Sequence, residues 1–341
     1  MNSKEQTMDT VTEVLRSPAL VLGSLEVTQT VGRVGRRFGG TWFKRHLSAI
    51  LYWCARHLPF SATVAIGTSI LSLVGWSYWL PGMPIRRGCH YMAVLGQRAG
   101  YSYTPRQIRS EFISHAKQMY RAYCLLYRDG WKAVIDNVEL SEVDRKKFQD
   151  QIDQYGGVMM VVSHNFGSVV SGLKFAREFP FLVTAKNSSS IERTRVALEF
   201  FERMDLKVLM VRDASRVQTS RALFRALRSG QVVAATTDSV TGERLGTPAR
   251  IFGQEVLFPA WAARIACRAG APLLPVYVRC HDGAIRAVVG DPIVTKDAEK
   301  ATQEYVSFFE ENILADPANW AFMIDKKWLR VLKAAVESED V

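Results

Sequence analysis

Several kinds of chemistry are missing from this chain. Its five cysteines, at positions 54, 89, 124, 267 and 280, are odd in number and far apart, and none forms a CxxC pair or a zinc-ligand spacing. They read as reduced thiols of a cytoplasmic protein. The opening MNSKEQTMDTVTEVLRSPALVLGSLEV carries acids early and lacks a cationic start leading into a short apolar run, so no secretory signal is expected. There is no GxSxG elbow, no GxxxxGK[ST] loop, no HExxH and no paired metal-ligand spacing. Internal repeats and low-complexity tracts are absent, and no composition break is sharp enough for an independent second domain. Histidine is scarce, with six in 341 residues.

Charge is also missing over one long stretch. LPFSATVAIGTSILSLVGWSYWLPGMPI, Leu58 to Ile85, contains no charged residue. As a helix, Phe60 to Leu80 would run roughly 30 Å, about the thickness of a hydrocarbon core. Serine, threonine and glycine dilute it, prolines break both ends, and it closes on Trp76, Tyr78 and Trp79, residues that favour a membrane interface. A true span, an interfacial or re-entrant helix and a buried helix all remain open. The segment before it, Val31 to Arg56, interleaves Arg33, Arg36, Arg37, Lys44, Arg45 and Arg56 with aromatic and aliphatic residues. The whole chain has 44 Lys+Arg against 33 Asp+Glu, a formal net charge of +11, and a pI near 9.5. Such a surplus favours an anionic partner: lipid headgroups, nucleic acid or an acidic carrier protein. No nucleic-acid recognition module is visible. A hydrophobic fraction of 48% with mean hydropathy −0.02 suits a globular body with a membrane-contacting part.

Beyond residue 104 the texture changes. TPRQIRSEF offers a threonine cap followed by proline at the first helical position, and residues 104 to 150 read as helical scaffold. Short apolar runs follow at 157–163, 181–185, 207–211, 231–237 and 272–278, separated by helix-length segments such as 190–204 and 215–229. That alternation predicts an α/β fold, a mixed sheet flanked by helices. The expected division is a basic, partly flexible leader (1–45), a membrane-associated helical segment (46–100), an α/β domain (101–333) and a frayed tail (334–341). In such sheets functional groups collect where strands end.

Two residues sit at such ends. His164, in VVSHNFGSVVSG, leaves an apolar run into glycine and serine, and Asp238, in AATTDSVTGER, does the same. The histidine is either a core residue satisfied by hydrogen bonds or a general base for attack on an acyl carbon. In the second case backbone amides near Phe166 and Gly167, or a basic side chain, would hold an oxyanion. Asp238 is a solvated loop acid or a partner for the histidine. Lys186, Asn187 and Arg193, in TAKNSSSIER, form an ordinary polar loop or a grip for an anionic headgroup. Arg216, Arg221, Arg225 and Arg228 make a basic stripe that is a solvated face or a landing site for an acidic carrier protein or anionic lipid.

The order of several pieces resembles the lysophospholipid acyltransferase superfamily, and within it the lipid A biosynthesis acyltransferases of lauroyl/myristoyl type. These pieces are LPFSATVAIGTSI, the run ending at His164, the KN of AKNSSSIERTR, LRSGQVVAATTDS, IFGQEVLFPAWAARIACRAGAPLLPV and DPANWAFMIDKKW. The resemblance implies transfer of a fatty acyl group from an acyl-carrier-protein or coenzyme A thioester to a hydroxyl, or an amine, of a membrane lipid or glycolipid. It implies work at the cytoplasmic face of a bacterial inner membrane, with no metal or redox cofactor. It makes His164 the base of a histidine-carboxylate dyad and counts Phe252 and Gly253 among the substrate-binding residues. The family places Asp or Glu five positions after the histidine; here that position is Val169. Ser168 on the same helix face, Asp238 from the neighbouring region of the sheet, or a histidine acting alone would replace the missing carboxylate. The alternative is a family member that binds acyl chains or lipids without catalysis.

Overall fold

VMMVV, FLVTA and VVAAT are too short for amphipathic helices and too uniformly apolar for half-exposed strands, which destines them for the interior of a covered sheet. A computed structural model describes residues 19–21, 53–54, 57–185, 191–210, 216–241, 246–281 and 283–338. Its strands are β1 (Ala19–Val21), β2 (Val138–Glu139), β3 (Val158–Val162), β4 (Phe181–Ala185), β5 (Val208–Met210), β6 (Val232–Thr236), β7 (Gly246–Ile251), β8 (Gln254–Pro259), β9 (Leu273–His281) and β10 (Ala284–Val289). Eight form one sheet in the order β1-β5-β4-β6-β3-β9-β10-β2, and β7 and β8 make a separate antiparallel hairpin. All pairs in the large sheet are parallel except β9 with β10. The α/β class with a mixed sheet flanked by helices, expected from the alternating texture, is the observed one.

The sheet's centre is β3, every residue of which is buried between β6 and β9. Its side chains alternate between two cores. Met159 and Val161 join Phe309, Trp320 and Trp328 on one face; Val158, Met160 and Val162 join Phe148, Leu173 and Phe175 on the other. Helices cover both faces: α1 (Phe60–Trp76), α2 (Pro84–Arg98), α3 (Pro105–Asp129), α4 (Lys132–Ile135), α5 (Glu142–Tyr155), α6 (Ser168–Glu178), α7 (Ile191–Arg203), α8 (Arg216–Arg228), α9 (Trp261–Ala269), α10 (Ala298–Ala315) and α11 (Lys326–Glu337). The cap read at Thr104 is present and reciprocal: its hydroxyl accepts from the Gln107 amide, while the Gln107 side chain accepts from the Thr104 amide.

The packing departs from the expected divisions in three places. Within the leader, β1 pairs with β5 and extends the sheet. Residues 84–98 do not belong to an appended segment: α2 buries Ile85, Cys89 and Met92 in the main core. Nor is the chain frayed from 334, because α11 continues to Glu337, buries Ala335, and offers the Ala335 and Val336 carbonyls to Arg98 at 2.9 Å each. Trp328, Leu329, Leu332 and Ala335 recur at helical spacing, and that stripe drives the docking.

Candidate active site

Register brings the two strand-end residues together. Val162 of β3 pairs with Thr236 of β6, and the Thr237 amide donates to the Val162 carbonyl at 3.1 Å. Each strand then runs on two residues, to His164 and to Asp238. His164 Nδ1 bonds Asp238 Oδ1. Asp238 Oδ2 accepts from the His164 main-chain amide at 2.8 Å and from the Trp320 indole at 2.9 Å. The main-chain carbonyl of Asp238 accepts the Trp328 indole at 2.9 Å. The aspartate is 1% exposed, and a carboxylate so placed needs donors of this kind to remain charged.

A carboxylate only accepts hydrogen bonds, so its Nδ1 partner carries the ring proton and Nε2 of the neutral imidazole keeps a free lone pair. The imidazole is reachable, with 31% of the side chain exposed. Phe322 stacks on one of its faces, ring centroids 3.9 Å apart and planes 17° from parallel. The ring is thus held by a buried acid at one nitrogen and an aromatic plate on one face. This arrangement suits proton removal from a group approaching Nε2.

The peptide after the histidine is occupied by a second segment. Residues 317–324 form two short 3-10 turns, and Asn165 bridges Trp320 across them. The Ala321 amide donates to the His164 carbonyl at 2.8 Å, and the Phe166 amide donates to the Asn319 carbonyl at 3.1 Å. The Phe166 amide, expected to face an oxyanion, is therefore already engaged. Gly167 is packed so closely that a Cβ would lie 2.8 Å from Ile285 and 2.9 Å from Val278. The Ser168 hydroxyl accepts from the Asn165 amide and donates to the Ser163 carbonyl, both at 3.0 Å, and it shapes the loop instead of holding the imidazole. Val169 is the second residue of α6 and is exposed.

Phe252 and Gly253 form the two-residue turn between β7 and β8, with φ of 50° and 73°. Rather than lining an opening, the buried Phe252 ring packs 6.2 Å from both Trp320 and Trp328, the indoles that grip Asp238. Its amide donates to Glu310 Oε1 at 2.7 Å, which holds a non-glycine residue in the left-handed region. Burial raises the carboxyl pKa of Glu310 above the ordinary value, and the Phe252 amide opposes that rise. Lys186 and Asn187 lie outside the described residues, and Arg193 falls in the first half of α7, where only the backbone is described. On α8 the side chains of Arg221, Arg225 and Arg228 are exposed.

Trp320, Phe322 and Trp328 are the site residues that sequence reasoning missed. The signal was the segment DPANWAFMIDKKW, where Asp325 caps α11 by accepting from the Lys327 and Trp328 amides and thereby aims Trp328 inward. The family model for bacterial lipid A biosynthesis acyltransferases matches residues 132–330, more than half of the chain and all of the site just described. This chain belongs to the bacterial lipid A biosynthesis acyltransferase family. No curated protein matches it. As a lipid A-type acyltransferase it lacks the carboxylate expected at Val169 yet holds a buried one against the histidine from the adjacent strand.

Proposed function

We propose that the protein moves a fatty acyl group from an acyl-carrier-protein or coenzyme A thioester to a hydroxyl of a lipid or glycolipid acceptor, at the cytoplasmic face of a bacterial inner membrane. His164 is the general base and Asp238 its carboxylate. The observation that carries this reading is the His164–Asp238 pair itself, a buried acid on Nδ1, with no hydrogen bond to Nε2 among the described residues. Nε2 takes the acceptor's proton as its oxygen attacks the thioester carbonyl carbon. The resulting tetrahedral adduct collapses, the carbon–sulfur bond breaks, and the imidazolium returns the proton to the departing thiolate. Asp238 stabilises the imidazolium between these events, as the carboxylate of a hydrolase triad does. Only the thioester donor is required beside the acceptor; no metal or redox step enters.

Purified protein incubated with a labelled acyl-thioester and a total lipid extract tests the proposal. The expected result is label in a new ester, lost with His164→Ala while the fold persists. Retention of label without a new ester would favour a lipid-binding role, and transfer by His164→Ala at the wild-type rate would remove the histidine from the mechanism.

A further inference from the structure

Among the described residues one apolar helix, Phe60–Trp79, is long enough to cross a bilayer, and only 17% of its most apolar stretch is buried. Its packing nevertheless ties it to α3 from end to end. Arg128 lies over the Phe60 ring at 5.9 Å, and the Tyr120 hydroxyl donates to the Thr63 carbonyl at 3.2 Å. Gly67 and Gly75 press so flat against α3 that a Cβ would come within 2.0 Å of Tyr120 and 3.0 Å of Ile113. At the far end Arg106 and Arg109 lie over the Trp79 ring, at 5.2 and 5.5 Å. Along that same length α3 carries Glu111, Lys117, Arg121 and Arg128, and its inner face is fixed in the main body by Ile108, Phe112 and Met119. A helix bound this way cannot thread a hydrocarbon core without drawing those charges in with it. The segment instead leaves Ile66, Leu73, Val74, Trp76, Trp79 and Leu80 exposed.

Positive charge predominates around this segment. From Val27 to Ser110 the sequence holds no Asp or Glu, and Arg86 and Arg87 stand exposed at the start of α2. Arg106 and Arg109 share one indole, and among the described residues neither has a carboxylate partner; the buried Nε of Arg109 has no hydrogen-bond acceptor. Two neighbouring guanidinium groups without an acid are a fit for a phosphate, and Trp79 with Tyr78 provides the aromatic surface that settles at headgroup depth. We propose that α1 lies in the plane of an anionic bilayer, immersed along its exposed face, and that Arg106 and Arg109 clamp a lipid phosphate beside Trp79. The clamp adjoins the candidate site: Phe112, one turn beyond Arg109 on α3, meets Phe166 with ring centroids 4.9 Å apart.

This docking requires no acyl transfer, and its test reads binding and topology alone. The full chain is bound to phosphatidylcholine vesicles with and without phosphatidylglycerol. Phosphatidylglycerol is expected to tighten wild-type binding, and added salt to weaken it again. The Arg106→Gln/Arg109→Gln variant, with an unchanged thermal unfolding curve, should lose roughly tenfold or more of that gain. Equal wild-type binding to both vesicles, or an unaltered gain in the variant, overturns the clamp. For topology, Ser61→Cys and Arg87→Cys, the second just beyond the apolar segment and exposed, are each introduced into the chain synthesised in the presence of sealed vesicles and treated with a membrane-impermeant maleimide. Labelling of both ends from the same side is expected; labelling of one end only after the vesicles are opened means that the helix crosses.

Discussion

His164 and Asp238 are 74 residues apart in sequence and share two hydrogen bonds, of which the one at Nδ1 organises the site. Asp238→Asn keeps the shape but removes the charge and favours the wrong imidazole tautomer, so kcat should fall by roughly two to four orders of magnitude with little change in KM. Trp320→Phe keeps the ring while deleting the donor to Oδ2. Leaving a buried acceptor short of a partner is expected to lower stability by about 1–3 kcal/mol, measured by denaturant unfolding. Val169→Glu restores the carboxylate at the family's usual spacing, yet Nδ1 is already taken, so transfer should stay within a small factor of wild type. Both members of the pair were legible as polar residues released from apolar runs; that they pair follows from a register no local pattern displays. The indoles were not legible, because a tryptophan in an apolar segment looks the same whether or not its N–H reaches an acid 82 residues away. A loop read by itself offers free donors, whereas here the Phe166 amide donates to the Asn319 carbonyl.

At the scale of elements, close approach governs. Gly157 precedes β3 where a Cβ would stand 2.0 Å from the Leu227 carbonyl oxygen, a backbone atom that cannot swing aside. Gly157→Ala should therefore cost about 1–3 kcal/mol or more, read as a lower midpoint in chemical denaturation. Strands β3, β4, β5 and β6 were recovered from sequence within a residue, since runs of Val, Met and Leu bounded by Gly, Pro and polar residues admit few other structures. The β7–β8 hairpin was not, because GTPARI and QEVLFP alternate exposed and buried positions and the turn uses Phe252 where glycine or asparagine would advertise it. The last turn of α11, from residue 334, was read as part of a frayed tail because its partner, Arg98, lies more than two hundred residues upstream.

For the whole molecule, burial of ionisable groups sets how it answers pH and reagents. The folded protein binds the Glu310 proton more tightly than the unfolded chain does, since burial raises its pKa above 4.5. The associated stability is complete below 4.5 and is lost as pH rises through the raised value. Glu310→Gln, which keeps an acceptor for Phe252, should flatten the fall in melting temperature over that window. Desolvation pushes the thiols of Cys89 and Cys280 up to about 12, so mass spectrometry after maleimide treatment of the native protein at neutral pH should find both unmodified. Composition indicated an α/β body with an anionic partner, but the strand order, in which consecutive segments often do not adjoin, depends on crossovers that leave no trace in any window of sequence.

Placing acid and base on separate strands has a consequence for assembly. A pair spaced five residues apart on one helix exists as soon as that turn forms, whereas here neither residue has its partner until β3 and β6 have zipped together. During refolding the return of acyl transfer should then lag any local helix signal and coincide with closure of the central sheet, making turnover itself a clock for the last stage of construction.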